Sequence, residues 1–494
     1  MDQPGEARPV MTPGAARARL AGLLLGPLLC IAMLLLPTPE GLAPTGWKVA
    51  AVAVLMAVWW VSEAVPIPAT GLLPLVLFPT LGIAGMAETS APYADPLIFL
   101  FLGGFLIALG LERWKLHRRI ALGVVSLVGT RPAALVGGFM LATAFLSMWV
   151  SNTATAVMML PIGLSVIALL GREGGGPGGF APALLLGIAY GASIGGLATL
   201  IGTPPNALLA AFMARTYGVE IGFAQWMAIG LPLSCLLLPC AWLILTRIAF
   251  ALPRAEVAGT RALIRGELAG LGPLTGPEIR VGLVFLAAAA LWVTRPLLGG
   301  VLPEGVNDTV IAVAAGLLLF VIPAGGGQPA GTALLDWGAA ARLPWGVLLL
   351  FGGGLSLAAA IGQSGLAASI GAGFVGLGAW PVILLVLLLT AGIVFLTGLT
   401  SNTATAAAFL PLMASVAPAL AVDPFLLTIP VALAASCAFM LPVATPPNAI
   451  VFASGQLSVA QMARAGFLLN LVASAAIVGL AWLLVGPVFA IPGP

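Results

Sequence analysis

The stretch Leu146-Ser147-Met148-Trp149-Val150-Ser151-Asn152-Thr153-Ala154-Thr155-Ala156 has a counterpart in Leu396-Thr397-Gly398-Leu399-Thr400-Ser401-Asn402-Thr403-Ala404-Thr405-Ala406. Both copies contain S-N-T-A-T-A, and both interrupt long apolar runs. A second polar motif follows each copy, as Gly202-Thr203-Pro204-Pro205-Asn206 and as Ala444-Thr445-Pro446-Pro447-Asn448. Two different motifs repeated in the same order indicate an internal duplication. The polar breaks are where we expect the chemistry of the chain.

The composition around these motifs is that of a membrane protein. Of the 494 residues, 61% are hydrophobic and 7% are charged, whereas soluble proteins carry about 25% charged residues. The apolar runs are continuous and approach the roughly 20 residues that a spanning helix needs, which favours helices over a barrel. The four cysteines lie in apolar runs without metal-ligand spacing. A net charge of +3 is no evidence for a nucleic-acid partner, since the basic residues follow membrane topology.

The duplication divides the chain into five parts. If each S-N-T is the tip of a re-entrant hairpin, the sequence predicts about eleven transmembrane helices plus two hairpins. The parts are a disordered cytoplasmic tail (1–19), a leading membrane helix (20–45), a first repeat (46–251, hairpin 132–170), a cytoplasmic linker (252–279) and a second repeat (280–494, hairpin 380–420).

The basic residues orient this arrangement. With the N-terminus in the cytoplasm and the C-terminus outside, all of the 19 lysines and arginines except Lys48, Arg215 and Arg295 fall on the cytoplasmic side, as the positive-inside rule requires. Because each half contains an odd number of spans, the two repeats have opposite orientations in the membrane. Inverted repeats with broken helices that meet at the membrane midplane are typical of secondary transporters.

The two motifs supply uncharged ligands. A hairpin tip leaves backbone carbonyls and amides free at membrane depth, which is tolerated only inside protein or beside a wet cavity. We also expect each Pro-Pro pair to stop the helix before it. Asp, Glu, Lys and Arg are absent from 132–171 and from 343–422. Small hard cations held by oxygen atoms would therefore have to compensate an anionic substrate, which predicts coupled binding.

Other interpretations of the same residues are weaker. Serine and threonine also serve as packing residues in membrane helices, and a single S-N-T would fit that role, but two copies favour function. The sequence shows no nucleophile–base pair, no paired carboxylates and no His/Cys cluster, which argues against an enzyme. Glu63 is the nearest candidate for proton coupling and is disfavoured. His117 is assigned to a basic interfacial face with Arg118 and Arg119.

From about residue 20 onward, the paired motifs resemble those of the divalent anion/sodium symporter family, which includes sodium-coupled di- and tricarboxylate transporters. The resemblance implies a homodimer of the elevator type, with sodium as the coupling ion and no organic cofactor. It implies one sodium site at Ser147, Ser151, Asn152 and the Gly202 carbonyl, and a second at Thr397, Ser401, Asn402 and the carbonyls of Thr400 and Ala444. The substrate-binding residues it implies are Asn152, Thr153, Thr203, Asn402, Thr403, Thr445 and Pro446.

The function expected from these residues is sodium-coupled symport of C4-dicarboxylates (succinate, fumarate, malate) across the inner membrane. Because hydroxyl and amide donors suit many anions, two alternatives within the family stay open: a sodium-independent dicarboxylate exchanger, and a carrier of citrate or sulfate. An alternative of another class is an anion channel or a regulatory membrane subunit. The expected partners are the dicarboxylate, sodium ions, the lipid bilayer and a second copy of the chain.

Overall fold

The fold is all-helical, as the sequence predicts. The computed structural model describes residues 13–172, 179–252, 256, 259–303, 305–325, 327–329, 331–373 and 380–491, without the side chains of 13–18 and 170–172. The helices of the first half are α1 (Pro13–Leu35), α2 (Pro44–Ser62), α3 (Ile67–Thr70), α4 (Leu73–Thr80), α5 (Met86–Ser90), α6 (Pro96–Arg113), α7 (Leu116–Ser126), α8 (Pro132–Ser147), α9 (Asn152–Arg172), α10 (Phe180–Gly196), α11 (Pro204–Tyr217) and α12 (Phe223–Leu243).

The second half repeats this order after a short helix in the linker. Its helices are α13 (Thr260–Gly270), α14 (Gly276–Thr294), α15 (Asp308–Val321), α16 (Trp337–Ala340), α17 (Trp345–Gln363), α18 (Leu366–Gly373), α19 (Val382–Thr397), α20 (Asn402–Val416), α21 (Phe425–Ala435), α22 (Pro446–Phe452) and α23 (Val459–Phe489). In the described part of the chain, the only β feature outside these helices is an isolated bridge between Pro323 and Ala333.

The helix lengths agree with a polytopic membrane protein. Among the described residues, 7 segments are at least 18 residues long and apolar enough to cross a membrane, and eight shorter apolar segments accompany them. Four of the shorter segments are the hairpin arms α8, α19 and α20 and the leading helix α1. Two others, α10 and α21, are the first parts of broken spans that continue as α11 and α22. Counting each broken span once gives the predicted total of about eleven.

The two repeats interlock around their broken helices. Helix α10 is buried along its whole length and packs against α8, α9, α12 and α22. The second arm of each hairpin contacts the short helix that follows the break in the other repeat, so that α9 packs on α22 and α20 packs on α11. The site therefore forms where the two halves of the chain meet.

A second group of helices packs beside this centre. Helix α6 packs against α14 and α15, and a Cβ at Gly103 would collide with the backbone of Ala312, so the glycine permits close approach of α6 and α15. Asp308, at the start of α15, accepts a hydrogen bond from Phe223 N at 2.7 Å and pairs with Arg295 at 2.6 Å. This carboxylate thereby holds the N-terminus of α12 against α14 and α15.

Three local features differ from the sequence expectations. The predicted disordered tail ends inside a helix, because α1 already begins at Pro13, while 1–12 lie outside the described residues. The linker 252–279 contains α13. The Pro-Pro pairs do not end α10 and α21, which stop earlier, at Gly196 and Ala435; they begin α11 and α22 instead. Proline suits the first helical turn because the amide it lacks would have no intrahelical partner there.

Candidate functional site

The first cluster of oxygen atoms lies at the tip of the α8–α9 hairpin. Ser147, the last residue of α8, is fully buried, and its Oγ lies 2.5 Å from one terminal amide atom of Asn152, the first residue of α9. The same amide atom is 3.3 Å from the carbonyl oxygens of Gly202 and Ala192. With nitrogen in this position, the amide donates to both carbonyls. With oxygen there, it accepts a hydrogen bond from the Ser147 hydroxyl and faces the two carbonyl oxygens.

Close backbone approach brings the Gly202 carbonyl into this cluster. A Cβ at Gly202 would overlap the carbonyl oxygen of Gly196, and a Cβ at Gly196 would lie 2.9 Å from Asn152 Oδ1. Thr199 Oγ1 also donates to Met148 O at 2.5 Å, which ties the hairpin tip to the same loop. The two glycines and this bond therefore fix the position of the loop relative to Asn152.

The second cluster repeats the first at the α19–α20 hairpin. Thr397, the last residue of α19, is fully buried and takes the place of Ser147. Its Oγ1 lies 2.9 Å from Asn402 Oδ1 and 2.8 Å from the carbonyl oxygen of Ala435. Ala444, the predicted carbonyl ligand of this site, lies in the loop between α21 and α22, where its backbone N–H donates to Leu441 O at 3.2 Å.

The asparagines of the two T-P-P-N motifs hold the loops in equivalent ways. Asn206 Nδ2 donates to Gly196 O at 3.1 Å and to Thr199 O at 2.8 Å. Asn448 Nδ2 donates to Ala438 O at 3.1 Å and Leu441 O at 3.0 Å, the same two positions relative to the asparagine. Both side chains are fully buried. Each asparagine therefore ties together carbonyls at the end of a broken helix or in the loop that follows it.

One side-chain hydrogen bond is present in the second hairpin tip and absent from the first in the described structure. In the second hairpin, the hydroxyls of Thr400 and Thr405 lie 2.7 Å apart and both residues are buried. In the first hairpin, the counterpart of Thr400 is Val150, and Thr155 Oγ1 is buried with no hydrogen-bond partner in the described structure. The tip of the second hairpin is therefore fastened by a side-chain bond that the first hairpin lacks.

The remaining predicted residues surround the two clusters. Ser151 and Thr153 are exposed, Asn152, Ser401 and Asn402 are half-buried, and Thr403 is buried. Ser151 Oγ accepts a hydrogen bond from Ala154 N at 3.2 Å and thereby caps α9. Among the described residues, the side chains of Ser401, Thr153 and Thr403 make no hydrogen bond, so their donors are free for a ligand.

The T-P-P-N motifs add two buried threonines near the centre. Thr203 Oγ1 lies 3.3 Å from Ser436 Oγ, which joins the broken span of one repeat to that of the other. Thr445 accepts a hydrogen bond from Asn448 N at 3.3 Å at the start of α22, and Pro446 beside it is exposed. The two motifs thus approach each other through Thr203 and the end of α21.

The ion pairs in the described part of the chain lie outside the two hairpins. Ion pairs join Arg118 to Glu267 at 2.5 Å and Arg119 to Glu278 at 2.8 Å, outside the hairpins. His117 Nδ1 lies 3.0 Å from Leu111 O, and burial lowers the pKa of His117 below its ordinary value. In the part of the chain that the structure describes, no group of three His, Cys, Asp or Glu side chains could hold a metal ion.

Sequence reasoning missed several members of the two clusters. The carbonyls of Ala192 and Ala435 carry no side-chain signal, because every residue has a backbone carbonyl. Ser436 and Thr199 lie outside the repeated motifs. A signal did exist for Asn206 and Asn448, since both copies of the second motif end in asparagine, but the sequence assigned no role to them.

Comparisons with known proteins identify relatives of this chain. The family model described as "Sodium:sulfate symporter transmembrane region" matches residues 17–489. The chain is 44% identical over 481 residues to the sodium-dependent dicarboxylate transporter SdcS of Staphylococcus saprophyticus, covering 96% of this chain and 92% of that one. It is 43% identical over 468 residues to SdcS of Staphylococcus aureus strain USA300, covering 93% and 90%. The YdaH transporter of Alcanivorax borkumensis has a similar fold, with a TM-score of 0.51 at 17% identity, covering 90% of this chain and 100% of that one.

Proposed function

The chain belongs to the divalent anion/sodium symporter family, and on that premise we propose that it imports C4-dicarboxylates such as succinate, fumarate and malate together with sodium ions. The observation that carries the proposal is the pair of equivalent oxygen clusters at Ser147–Asn152 and Thr397–Asn402. Neither hairpin contains a charged residue within 132–171 or 380–420. The substrate and the cations would therefore have to neutralise each other.

The helix ends support this division between cation and anion. Helices α8 and α10 end at the first cluster, and their free carbonyls carry partial negative charge that favours a cation. Helices α9 and α11 begin beside it, and their free N–H groups favour a carboxylate. The second cluster has the same arrangement, with α19 and α21 ending and α20 and α22 beginning there. Discontinuous helices serve cations and anions in this way in many secondary transporters.

The asparagines connect the two ligands. Asn152 and Asn402 are half-buried between a fully buried hydroxyl and the exposed tip of each hairpin. An amide that turns its oxygen toward the cluster and a sodium ion also turns its NH₂ group outward, where it can donate to a carboxylate. Thr153, Thr403, Thr203 and the Thr445–Pro446 turn would complete the substrate pocket. Two hairpins suit a substrate with two carboxylates.

We further propose that the transporter is a homodimer working by an elevator motion in the inner membrane. The group α8–α12 with α19–α23 would move, carrying both clusters, against the group built on α6, α14, α15 and α17. Helices α7 and α18, which contact both groups, would connect them. The distribution of lysine and arginine supports a cytoplasmic N-terminus and an external C-terminus. The name of the SdcS relatives favours a dicarboxylate over the sulfate named by the family model.

Uptake of radiolabelled succinate by the purified protein in liposomes tests the proposal. We expect uptake only with an inward sodium gradient, and its loss in Asn152→Ala and Asn402→Ala. Gln363→Ala is the matched control, because this exposed amide at the end of α17 lies outside the hairpins. Sodium-independent uptake that needs internal dicarboxylate would make the protein an exchanger. Currents far above carrier rates would make it a channel.

A further inference from the structure

A cavity of about 400 Å³ lies far from the two clusters, between the α7–α8 turn and the start of α13. Its lining includes Ser126, Thr130, Thr260, Arg261, Ile264 and Arg265. The cavity has a polar wall formed by α13 and an apolar wall that includes Val125 and Leu135. Nothing in the transport mechanism proposed above uses this region.

Hydrogen-bond donors at the start of α13 have no partner among the residues that the structure describes. The preceding residue, Gly259, has no side chain that could cap the helix, and the first intrahelical bond runs from Leu263 N to Gly259 O. The N–H groups of the first turn are therefore free. Thr260 is fully buried, yet its Oγ1 has no hydrogen-bond partner in the described structure. A buried hydroxyl without a partner is costly, which indicates that a ligand or water satisfies it.

Positive charge accompanies these donors. Arg261 and Arg265 lie one turn apart on the face of α13 that lines the cavity, and neither forms an ion pair with a described residue. Arg118 nearby is already paired with Glu267. One carboxylate opposes them, because Thr130 Oγ1 donates to Glu256 Oε2 at 2.7 Å. Two guanidinium groups and a helix N-terminus outweigh that single negative charge and favour an anion.

We infer that this cavity binds a phosphate group, and that the phosphate belongs to the headgroup of an anionic phospholipid. Phosphate offers several acceptor oxygens to guanidinium, hydroxyl and backbone donors at once. Leu127, in the turn that lines the cavity, is 87% exposed, as expected for a side chain that reaches into lipid. The cavity lies on the side of the membrane that the proposed orientation assigns to the cytoplasm, together with the arginine-rich segments of the chain. Anionic lipids of that leaflet attract basic residues.

Phospholipid binding to the full-length protein in nanodiscs tests the inference. The nanodiscs contain phosphatidylcholine alone or with phosphatidylglycerol, and bound lipid and thermal stability are measured by native mass spectrometry and melting. We expect phosphatidylglycerol to bind and stabilise the protein. Arg261→Gln and Arg265→Gln should each weaken its binding by about fivefold, and Thr260→Val should weaken it as well. Arg247→Gln is the control, since this exposed arginine lies outside the cavity lining.

Inorganic phosphate added to the phosphatidylcholine discs distinguishes the two sources of the ligand. Stabilisation by phosphatidylglycerol but not by phosphate identifies a lipid site. If phosphate stabilises the wild type but not the arginine variants, the cavity binds soluble phosphate and not a lipid headgroup. Equal binding of phosphatidylglycerol to the wild type and to both arginine variants, or a wild type that neither ligand stabilises, would overturn the inference. Succinate uptake enters none of these measurements, so the outcome is independent of the proposed function.

Discussion

Replacing Thr400 by valine should weaken sodium binding at the second hairpin tip. The Thr400 hydroxyl lies 2.7 Å from that of Thr405, and the carbonyl of Thr400 is a predicted sodium ligand. Valine keeps the shape of threonine and removes only the hydroxyl. Thr405, which is 4% exposed, then loses the only hydrogen bond that its side chain makes among the described residues.

The magnitude follows from the cost of an unpaired buried hydroxyl, which is about 1–3 kcal/mol. The tip can escape this cost by loosening, which turns Thr405 toward water but displaces the Thr400 carbonyl. Sodium binding must then restore the ordered conformation of the tip, and the free energy that this requires weakens sodium binding. A cost of about 1 kcal/mol raises the half-saturating sodium concentration about fivefold, and about 2 kcal/mol raises it about thirtyfold.

Removing both hydroxyls supplies the control. In the double variant Thr400→Val with Thr405→Val, no hydroxyl is left unpaired, and replacing both partners of a hydrogen bond by apolar groups of the same shape is nearly neutral. Sodium dependence should therefore return toward that of the wild type. The single variant Thr405→Val should be mild, because Thr400 Oγ1 can still donate to Leu396 O, 3.3 Å away.

The assay is succinate uptake into liposomes as a function of external sodium, with maximal rate and half-saturating sodium fitted separately. Melting temperature, measured with and without sodium, checks that each variant is folded. We expect the half-saturating sodium concentration to change in Thr400→Val, with a smaller change in maximal rate. A double variant worse than Thr400→Val, or a single variant with the sodium dependence of the wild type, would refute the reasoning.

Three further predictions concern other residues. Val150→Thr gives the unpartnered Thr155 hydroxyl the partner that its counterpart has, and should raise the melting temperature and lower half-saturating sodium. Asn206→Ala and Asn448→Ala each remove two buried hydrogen bonds, and they leave the carbonyls of Gly196 and Ala438 without the side-chain donor, at a cost of about 1–3 kcal/mol for a buried group without a partner. Both should lower melting temperature and uptake, and equal effects would reflect their equivalent geometry. The lowered pKa keeps folded His117 neutral while the unfolded chain gains a proton below about pH 6.5, so acidification favours the unfolded state. His117→Gln should therefore reduce the fall in melting temperature between about pH 7.5 and pH 5.

Much of the fold follows from local features of the sequence. The long apolar runs predict the helices, and the polar S-N-T breaks predict where the hairpins turn. The motif repeats also predict which side chains share a site, since Ser147 and Asn152 are five residues apart across one tip, as are Thr397 and Asn402. The sequence did not predict helix α13 because its segment is short and polar. It did not predict the start of α1 because prolines and charged residues precede that point.

Other features depend on contacts between distant parts of the chain. Backbone carbonyls are chemically alike at every residue, so only the folded loops select those of Ala192, Gly202 and Ala435. Sequence likewise leaves open which atom of the Asn152 amide faces the cluster, because the neighbouring acceptors arrive from α10 and its following loop.

The sequence by itself determined that this is a duplicated helical membrane protein whose repeated polar motifs lie in four breaks. Those properties depend on composition and on short-range order, which the chain carries whatever its tertiary contacts. The tertiary structure alone decided how α9 meets α22 and α20 meets α11, and how two free guanidinium groups come to line a cavity beside a buried hydroxyl. Such juxtapositions depend on packing between residues remote in sequence, for which a single chain contains no local pattern.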